Sequence, residues 1–109
     1  MITTNDNNTM KTTLSTSQTI RTKYLPCADR RGSRVKAWCE RGSLTVEWAY
    51  ALNVDENHRA ACDTLRSRFI AEDVKRYGVK NAGKPWNGPM IGGSLPQPDA
   101  GWCFVFLDR

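Results

Sequence analysis

The sequence predicts an α+β fold in which one long helix lies on one face of a mainly antiparallel five-stranded sheet. Alternating segments fill residues 19–48, a helical apolar stripe begins after Asn53, and two further strand-like segments close the chain. A helix and a sheet each have one apolar face, and stacking the two buries both. The expected element order is therefore β-β-β-α-β-β, in a single two-layer domain spanning residues 19–109.

The third predicted strand shows the clearest alternation. In residues 43–48, Leu44, Val46 and Trp48 alternate with polar residues, which indicates a strand with one buried face. This strand leads directly into the helix, so its buried face should contact the helix.

Two earlier segments predict the other strands of an antiparallel meander. Alternation marks strands at residues 19–25 and 34–40. Arg41 and Gly42 then suit a tight turn into the third strand. Neighbouring strands in this part of the chain should therefore run antiparallel.

Asn53 is a predicted N-cap, because its side-chain oxygen can accept a hydrogen bond from the first turn of a helix. Glu56, three residues later, can bond back to the Asn53 backbone as in a capping box. The residues that follow at helical spacing on one face are Val54, His58, Ala61, Cys62, Leu65 and Phe69. A long amphipathic helix is therefore predicted.

The apolar stripe shifts after Phe69, because Ile70, Val74 and Tyr77 lie about 100° around the helix from it. Two alternatives follow. Either the helix continues to a C-cap at Gly78 and a second surface covers this end, or the helix breaks near Ile70.

The last two segments predict a bent strand and a buried strand. Residues 89–95 contain Gly92 and Gly93, which favour a bend or a bulge. Residues 102–107 are apolar at every position. Either both faces of this strand are buried, or one aromatic face has a function.

The sheet face that the helix leaves open is expected to carry Lys36 and Trp38. It should also carry one side of the last strand, either Trp102, Phe104 and Phe106 or the residues that alternate with them. Aromatic rings among Lys and Arg on an open sheet are typical of surfaces that bind single-stranded nucleic acid. The alternative is that these rings pack against one another or under the long loops.

Residues 1–18 are dominated by Thr, Asn and Ser and contain almost no large apolar residue. They cannot bury enough surface to offset the entropy of ordering, so a disordered tail is expected. They also lack the apolar core of a signal peptide, and no run of about 20 apolar residues occurs in the sequence. A cytoplasmic location is therefore expected.

The four cysteines are expected to be free thiols, because the cytoplasm is reducing. His58 and Cys62 lie four residues apart on one helix face, and Cys27 or Cys39 could complete a zinc site with them. The spacings match no zinc module, and a His and a Cys on an apolar stripe are more often core residues. No metal or other cofactor is therefore expected.

The positive charge is concentrated in one segment. The chain has a formal net charge of +5, and residues 19–42 contain seven basic and two acidic residues. This placement favours a basic patch that attracts phosphate or an acidic protein surface, although a solvated face is the alternative. No membrane partner and no small-molecule substrate are expected. The candidate binding residues are Arg21, Lys23, Arg30, Arg31, Arg34, Lys36, Trp38 and Arg41.

Catalysis is not expected from this sequence. The chain contains one histidine and has no glycine-rich phosphate loop and no nucleophile elbow. It also has no pair of carboxylates at a spacing that indicates a shared catalytic role. His58, near a helix start, could bind an anion or act as an acid or base. No partner for it is evident, so the protein is expected not to be an enzyme.

Five short segments are informative together: residues 31–37, 48–53, 57–61, 92–95 and 103–106. They resemble segments of a group of small proteins, of no known activity, that are carried by bacterial plasmids, phages and integrated mobile elements. The resemblance extends over residues 19–107, apart from a stretch at 70–84 that looks inserted or extended. It implies a mobile-element setting and no site residues.

Two functions remain under consideration. The first is a non-enzymatic accessory protein of a mobile element that binds nucleic acid, DNA or RNA, through the basic meander. The alternative is a protein-binding inhibitor of a host defence enzyme, of the anti-restriction or anti-CRISPR type. In that case the same cations or the aromatic surface would dock on the enzyme. Binding to oligonucleotides that weakens with salt distinguishes the two.

Overall fold

The fold consists of five strands and one long helix within the residues that the computed structural model describes, which are 18–81, 85–96 and 101–107. The predicted tail lies outside these residues, except for Gln18. The elements are β1 (Thr19–Leu25), β2 (Arg34–Cys39), β3 (Gly42–Glu47), α1 (Val54–Tyr77), a 3₁₀ turn (Val79–Asn81), β4 (Met90–Ser94) and β5 (Trp102–Phe106).

The five strands form one antiparallel sheet in the order β3-β2-β1-β5-β4, with α1 on one face. The predicted α+β class is therefore confirmed. β5 pairs with β1, with Ile20 opposite Phe104, so the chain returns after α1 to the side of its first strand. The turn between β2 and β3 consists of Glu40 and Arg41 rather than Arg41 and Gly42, because Cys39 and Gly42 form the last pair of the ladder.

The start of α1 is capped as the sequence predicts. Asn53 Oδ1 accepts a hydrogen bond from the Glu56 backbone N–H at 2.8 Å, and Glu56 Oε1 accepts from the Asn53 N–H at 3.0 Å. Asn57 then ties the preceding segment to the helix. Its Oδ1 accepts from the Ala49 N–H at 2.8 Å, and its Nδ2 donates to the carbonyl oxygens of Ala49 and Leu52. These bonds hold the segment that follows β3.

The helix continues to Tyr77 and is followed by Gly78, whose φ of 83° favours glycine. The alternative of a break near Ile70 is therefore wrong. Ile70 packs beside the core, whereas Val74 and Tyr77 remain exposed. No second surface within the described residues covers this end of the helix.

The core lies between α1 and the sheet. Its buried residues are Ile20, Val35, Ala37, Ala61, Cys62, Leu65, Phe69, Trp86, Phe104 and Phe106. Val54, predicted on the same stripe, is 54% exposed because it lies at a cleft beyond the sheet. In the described part of the chain, no helix has the length and hydropathy needed to cross a membrane.

Candidate functional site

Strand alternation places five of the predicted binding residues on one face of the sheet. Ile20, Thr22 and Val35 are buried on the α1 side, so the residues that alternate with them lie on the opposite side, here called the open face. Within the described residues, no helix covers this face. The predicted binding residues on the open face are Arg21, Lys23, Arg34, Lys36 and Trp38.

The aromatic residues of β5 lie on the helix side. Phe104 is opposite the buried Ile20, so Trp102 and Phe106, which share its side, also face α1. Of the two expected arrangements, the open face therefore carries the alternating residues, Cys103 and Val105. Trp38 is then the aromatic side chain that the described strands present on the open face.

Two lysines stand directly opposite each other on the open face. Lys23 of β1 is the register partner of Lys36 of β2. Like charges in this arrangement destabilise a sheet. Among the described residues, no carboxylate lies within ion-pair distance of either lysine, because the ion pairs of the fold involve Arg41, Arg66 and Arg68. Within the described residues, the open face therefore keeps a pair of positive charges without an ion-pair partner.

Trp38 lies beside cations on the open face. The guanidinium carbon of Arg21 is 5.3 Å from the centroid of its ring, and Lys36 Nζ is 5.7 Å from it. Both distances are within the range of a cation–π interaction. Trp38 is half-buried.

Arg30 and Arg31 lie in the loop between β1 and β2. A tight turn forms there, in which the Ala28 N–H donates to Arg31 O at 2.9 Å and the Arg31 N–H donates to Ala28 O at 2.6 Å. Asp29 in this turn has a positive φ of 24°. Both arginines are exposed and have no carboxylate partner among the described residues.

Arg41, also predicted as a binding residue, lies outside the open face and is paired with α1. Its Nη2 is 2.9 Å from Asp73 Oδ1 and 3.2 Å from Glu72 Oε1, and it also donates to the Phe69 carbonyl oxygen at 3.2 Å. The carboxylates of Asp73 and Glu72 raise the pKa of Arg41. Its guanidinium therefore joins the β2–β3 turn to α1.

A cleft of about 1020 Å³ opens at the end of the sheet where β1 and β3 finish and β5 begins. The sequence does not predict it, because its walls come from five separate segments of the chain. We call it the aromatic cleft, after the rings that line it: Tyr24, Trp48, Tyr50, His58 and Trp102. Pro26 and Ser33 also line it. They are the two ends of the β1–β2 loop, here called the arginine loop because it carries Arg30 and Arg31.

His58 is the buried polar group of the aromatic cleft, with 3% of its surface exposed. Its Nδ1 is 2.7 Å from Thr22 Oγ1 on β1. Its ring stacks on Trp102 at a centroid distance of 5.9 Å, and Trp48 meets it edge to face at 6.3 Å. Burial lowers the pKa of His58, and the nearby Asp55 carboxylate opposes this only in part. The ring is therefore neutral at pH 7.

The arrangement around His58 and Cys62 differs from the zinc site that was considered. Among the described residues, no group of three or more potential ligands converges. The Cys62 thiol lies 3.9 Å from Met90 Sδ, and burial raises its pKa to about 12. This thiol is therefore protonated at neutral pH.

Comparison of the chain with protein-family models, with curated proteins and with solved structures gives no match. The similarity to mobile-element proteins therefore stays a prediction from short sequence segments. The open face and the aromatic cleft are the two features of the molecule from which a function can be inferred.

Proposed function

We propose that the protein binds single-stranded nucleic acid across the open face, with Arg30 and Arg31 extending the contact surface beyond the end of β1. The observation that carries the proposal is the opposed pair Lys23 and Lys36 next to Trp38. We further propose that the protein acts by binding alone, as an accessory protein.

Electrostatics support phosphate as the ligand. Holding Lys23 opposite Lys36 is unfavourable in the free protein. A phosphate placed between them would convert this repulsion into two charge-assisted contacts. Glu47 is the one acidic residue that the described strands place on the open face, and it lies opposite Arg34 at the edge of the sheet. The charge near Trp38 therefore stays positive.

The tryptophan supports a single strand rather than a duplex. Bases stack on an exposed ring only when they are unpaired, and such stacking is tolerant of sequence. Arg21 and Lys36 flank Trp38, so a base on this ring would have cations nearby for its own phosphates. We therefore expect weak sequence preference and a preference for single strands.

The proposal predicts salt-dependent binding that depends on the arginine loop. We expect labelled single-stranded RNA or DNA to bind with an affinity that falls linearly on a log–log plot against salt. Replacing Arg30 and Arg31 by Ala should lower the affinity and reduce the slope by about 0.7 for each phosphate that is no longer neutralised. Fluorescence anisotropy over a range of salt concentrations measures both quantities.

A matched control removes two charges elsewhere. Lys75→Ala with Arg76→Ala lowers the net charge equally, but both residues lie in the last turn of α1. This variant should keep the wild-type slope. If the two double variants weaken binding equally, the effect is one of net charge and the proposed surface is wrong. If the wild-type protein shows no salt-dependent binding to any oligonucleotide, an acidic protein surface becomes the better candidate for the partner.

A further inference from the structure

We infer that the aromatic cleft binds one unstacked nucleotide, with its base among the rings and its phosphate towards Arg30 and Arg31. The inference rests on the proposed function and adds a second, more selective site to it. The open face would hold the strand, and the cleft would hold a single nucleotide at the end of the sheet.

The rings of the cleft suit a flat aromatic ligand. Tyr50 is 82% exposed, and its ring packs against no other aromatic ring among the described residues. Tyr24 is 42% exposed and meets Trp48 edge to face, with ring centroids 5.1 Å apart. A base inserted here would gain stacking partners that the free protein leaves to solvent.

His58 supplies a hydrogen-bond donor in the cleft. Among the described residues, Thr22 Oγ1 has no partner other than His58 Nδ1. We therefore assign the hydroxyl proton to the bond with Nδ1, since the opposite arrangement would leave the Thr22 hydroxyl without an acceptor among the described residues. The neutral ring then carries its proton on Nε2.

That proton is available to a ligand. His58 lines the cleft, and its Nε2 has no hydrogen-bond partner among the described residues. The cleft thus offers an N–H group between Trp48 and Trp102. Nucleobases present acceptor atoms on their edges, so a base can satisfy this donor while it stacks.

The charges around the cleft favour a phosphorylated ligand. None of the described residues that line it is acidic, although the Asp55 carboxylate lies near His58. Lys23 also borders the cleft, but its side chain lies on the open face, so the cations available to a ligand here are those of the β1–β2 loop. The loop that carries Arg30 and Arg31 begins and ends at lining residues, Pro26 and Ser33. An uncharged aromatic compound would use the rings but not these cations. The observations therefore favour a nucleotide over a nucleoside or another neutral ring system.

The single histidine allows a direct test by NMR. In the full chain labelled with ¹⁵N, the ring correlations of His58 should show the Nε2–H tautomer. Adding adenosine or uridine monophosphate should shift the His58 ring signals, and the unphosphorylated nucleosides should require higher concentrations for the same shift. A proton on Nδ1 instead of Nε2 would overturn the inference. So would His58 ring signals that remain unchanged on addition of every nucleotide and oligonucleotide tested.

A pair of tyrosine variants tests the site by affinity. Tyr50→Ala removes an exposed ring of the cleft and should leave the fold intact, whereas Tyr77→Ala removes an exposed ring at the far end of α1. Tyr50→Ala should weaken binding by about tenfold, which is the effect of removing one stacking partner, and Tyr77→Ala should not. Unchanged affinity in Tyr50→Ala for both mononucleotides and oligonucleotides would refute the cleft as the site.

The outcomes also separate the cleft from the open face and identify the source of the nucleotide. Reduced affinity for oligonucleotides in Tyr50→Ala identifies the ligand as part of a strand. Reduced affinity for mononucleotides alone identifies a free nucleotide. If Tyr50→Ala has no effect while salt-dependent oligonucleotide binding persists, the cleft inference fails and the proposed function stands. If mononucleotides shift the NMR signals of the His58 ring but no oligonucleotide binds, the proposed function fails and the cleft remains a nucleotide site.

Discussion

His58 joins helix to sheet through one short hydrogen bond, and the position of that bond has two consequences. Thr22 Oγ1 is hydrogen-bonded to Nδ1 of the ring, so Nε2 is left for a ligand in the cleft. Burial also lowers the pKa of the ring, so the neutral imidazole is favoured at pH 7. Together, the bond to Thr22 and the burial of the ring favour a neutral imidazole with its proton on Nε2.

This neutrality predicts a pH dependence of stability. In the unfolded chain His58 should titrate near its ordinary pKa of about 6.5, and in the folded protein its pKa is lower. Below that ordinary pKa the unfolded state binds a proton that the folded state does not. The free energy of unfolding should therefore fall as the pH decreases through about 6.5 and level off below the folded pKa.

Urea unfolding between about pH 7.5 and 5.5 measures this dependence, in a window above the titration of ordinary carboxyl groups. The His58→Gln variant should be less stable overall but should show a flatter dependence on pH. The chain has one histidine, so the slope in this window can be assigned to it. An equally steep slope in the variant would show that His58 is not the group responsible.

Among the elements, β4 shows how packing decides the role of a glycine. The sequence predicts only a bend or a bulge from Gly92 and Gly93. In the sheet, Gly92 is opposite Phe104, and a Cβ on Gly92 would lie 2.5 Å from the Phe104 ring. Gly93 is on the other side of the strand, where a Cβ would meet nothing within 4 Å. A side chain at position 92 therefore requires the Phe104 ring to move, whereas position 93 has room for one.

This difference gives a matched pair of variants. Gly92→Ala should lower the free energy of unfolding by about 1 to 3 kcal/mol, because the added methyl group overpacks the side of the sheet that faces α1. Gly93→Ala should leave stability unchanged or raise it slightly, because alanine restricts the unfolded chain. Thermal unfolding of the two variants compares them. Equal melting temperatures would mean that the Phe104 ring moves aside without cost.

Across the molecule as a whole, the basic residues of the first three strands divide into two groups with different roles. Lys23 and Lys36 share the open face without described ion-pair partners. Arg41 lies two residues beyond β2 and is bound to Glu72 and Asp73 of α1. Charge placement in the sequence does not separate these groups, because it does not show which acidic residues the helix brings near.

The two groups should respond in opposite ways to substitution. Arg41→Ala should lower the free energy of unfolding by about 1 kcal/mol, as expected for a surface ion pair with an added hydrogen bond, and should leave oligonucleotide affinity unchanged. Lys36→Ala should weaken oligonucleotide binding, while stability stays the same or rises because repulsion from Lys23 is relieved. Urea unfolding and anisotropy measure the two effects. If Arg41→Ala weakens binding as much as Lys36→Ala does, the binding surface extends to the β2–β3 turn.

The elements and most of their boundaries could be predicted from local sequence. Alternation in β1 to β3, the cap formed by Asn53 and Glu56, and the stripe that ends with Phe69 all depend on residues close together in the chain. Their spacing alone relates them to one face of a strand or helix. Strand alternation also places Lys36 and Trp38 together on one side of β2, so this part of the open face could be predicted from the sequence.

Which of the elements that are distant in sequence meet was decided only by the tertiary structure. The pairing of β5 with β1 turns Trp102 and Phe104 towards α1, and it brings Trp102 onto His58 to form a wall of the cleft. Packing of α1 on the sheet likewise places Arg41 next to two carboxylates of the helix. These contacts join residues far apart in sequence. Local periodicity carries no information about them, because they depend on how the faces of separate elements fit when the core closes.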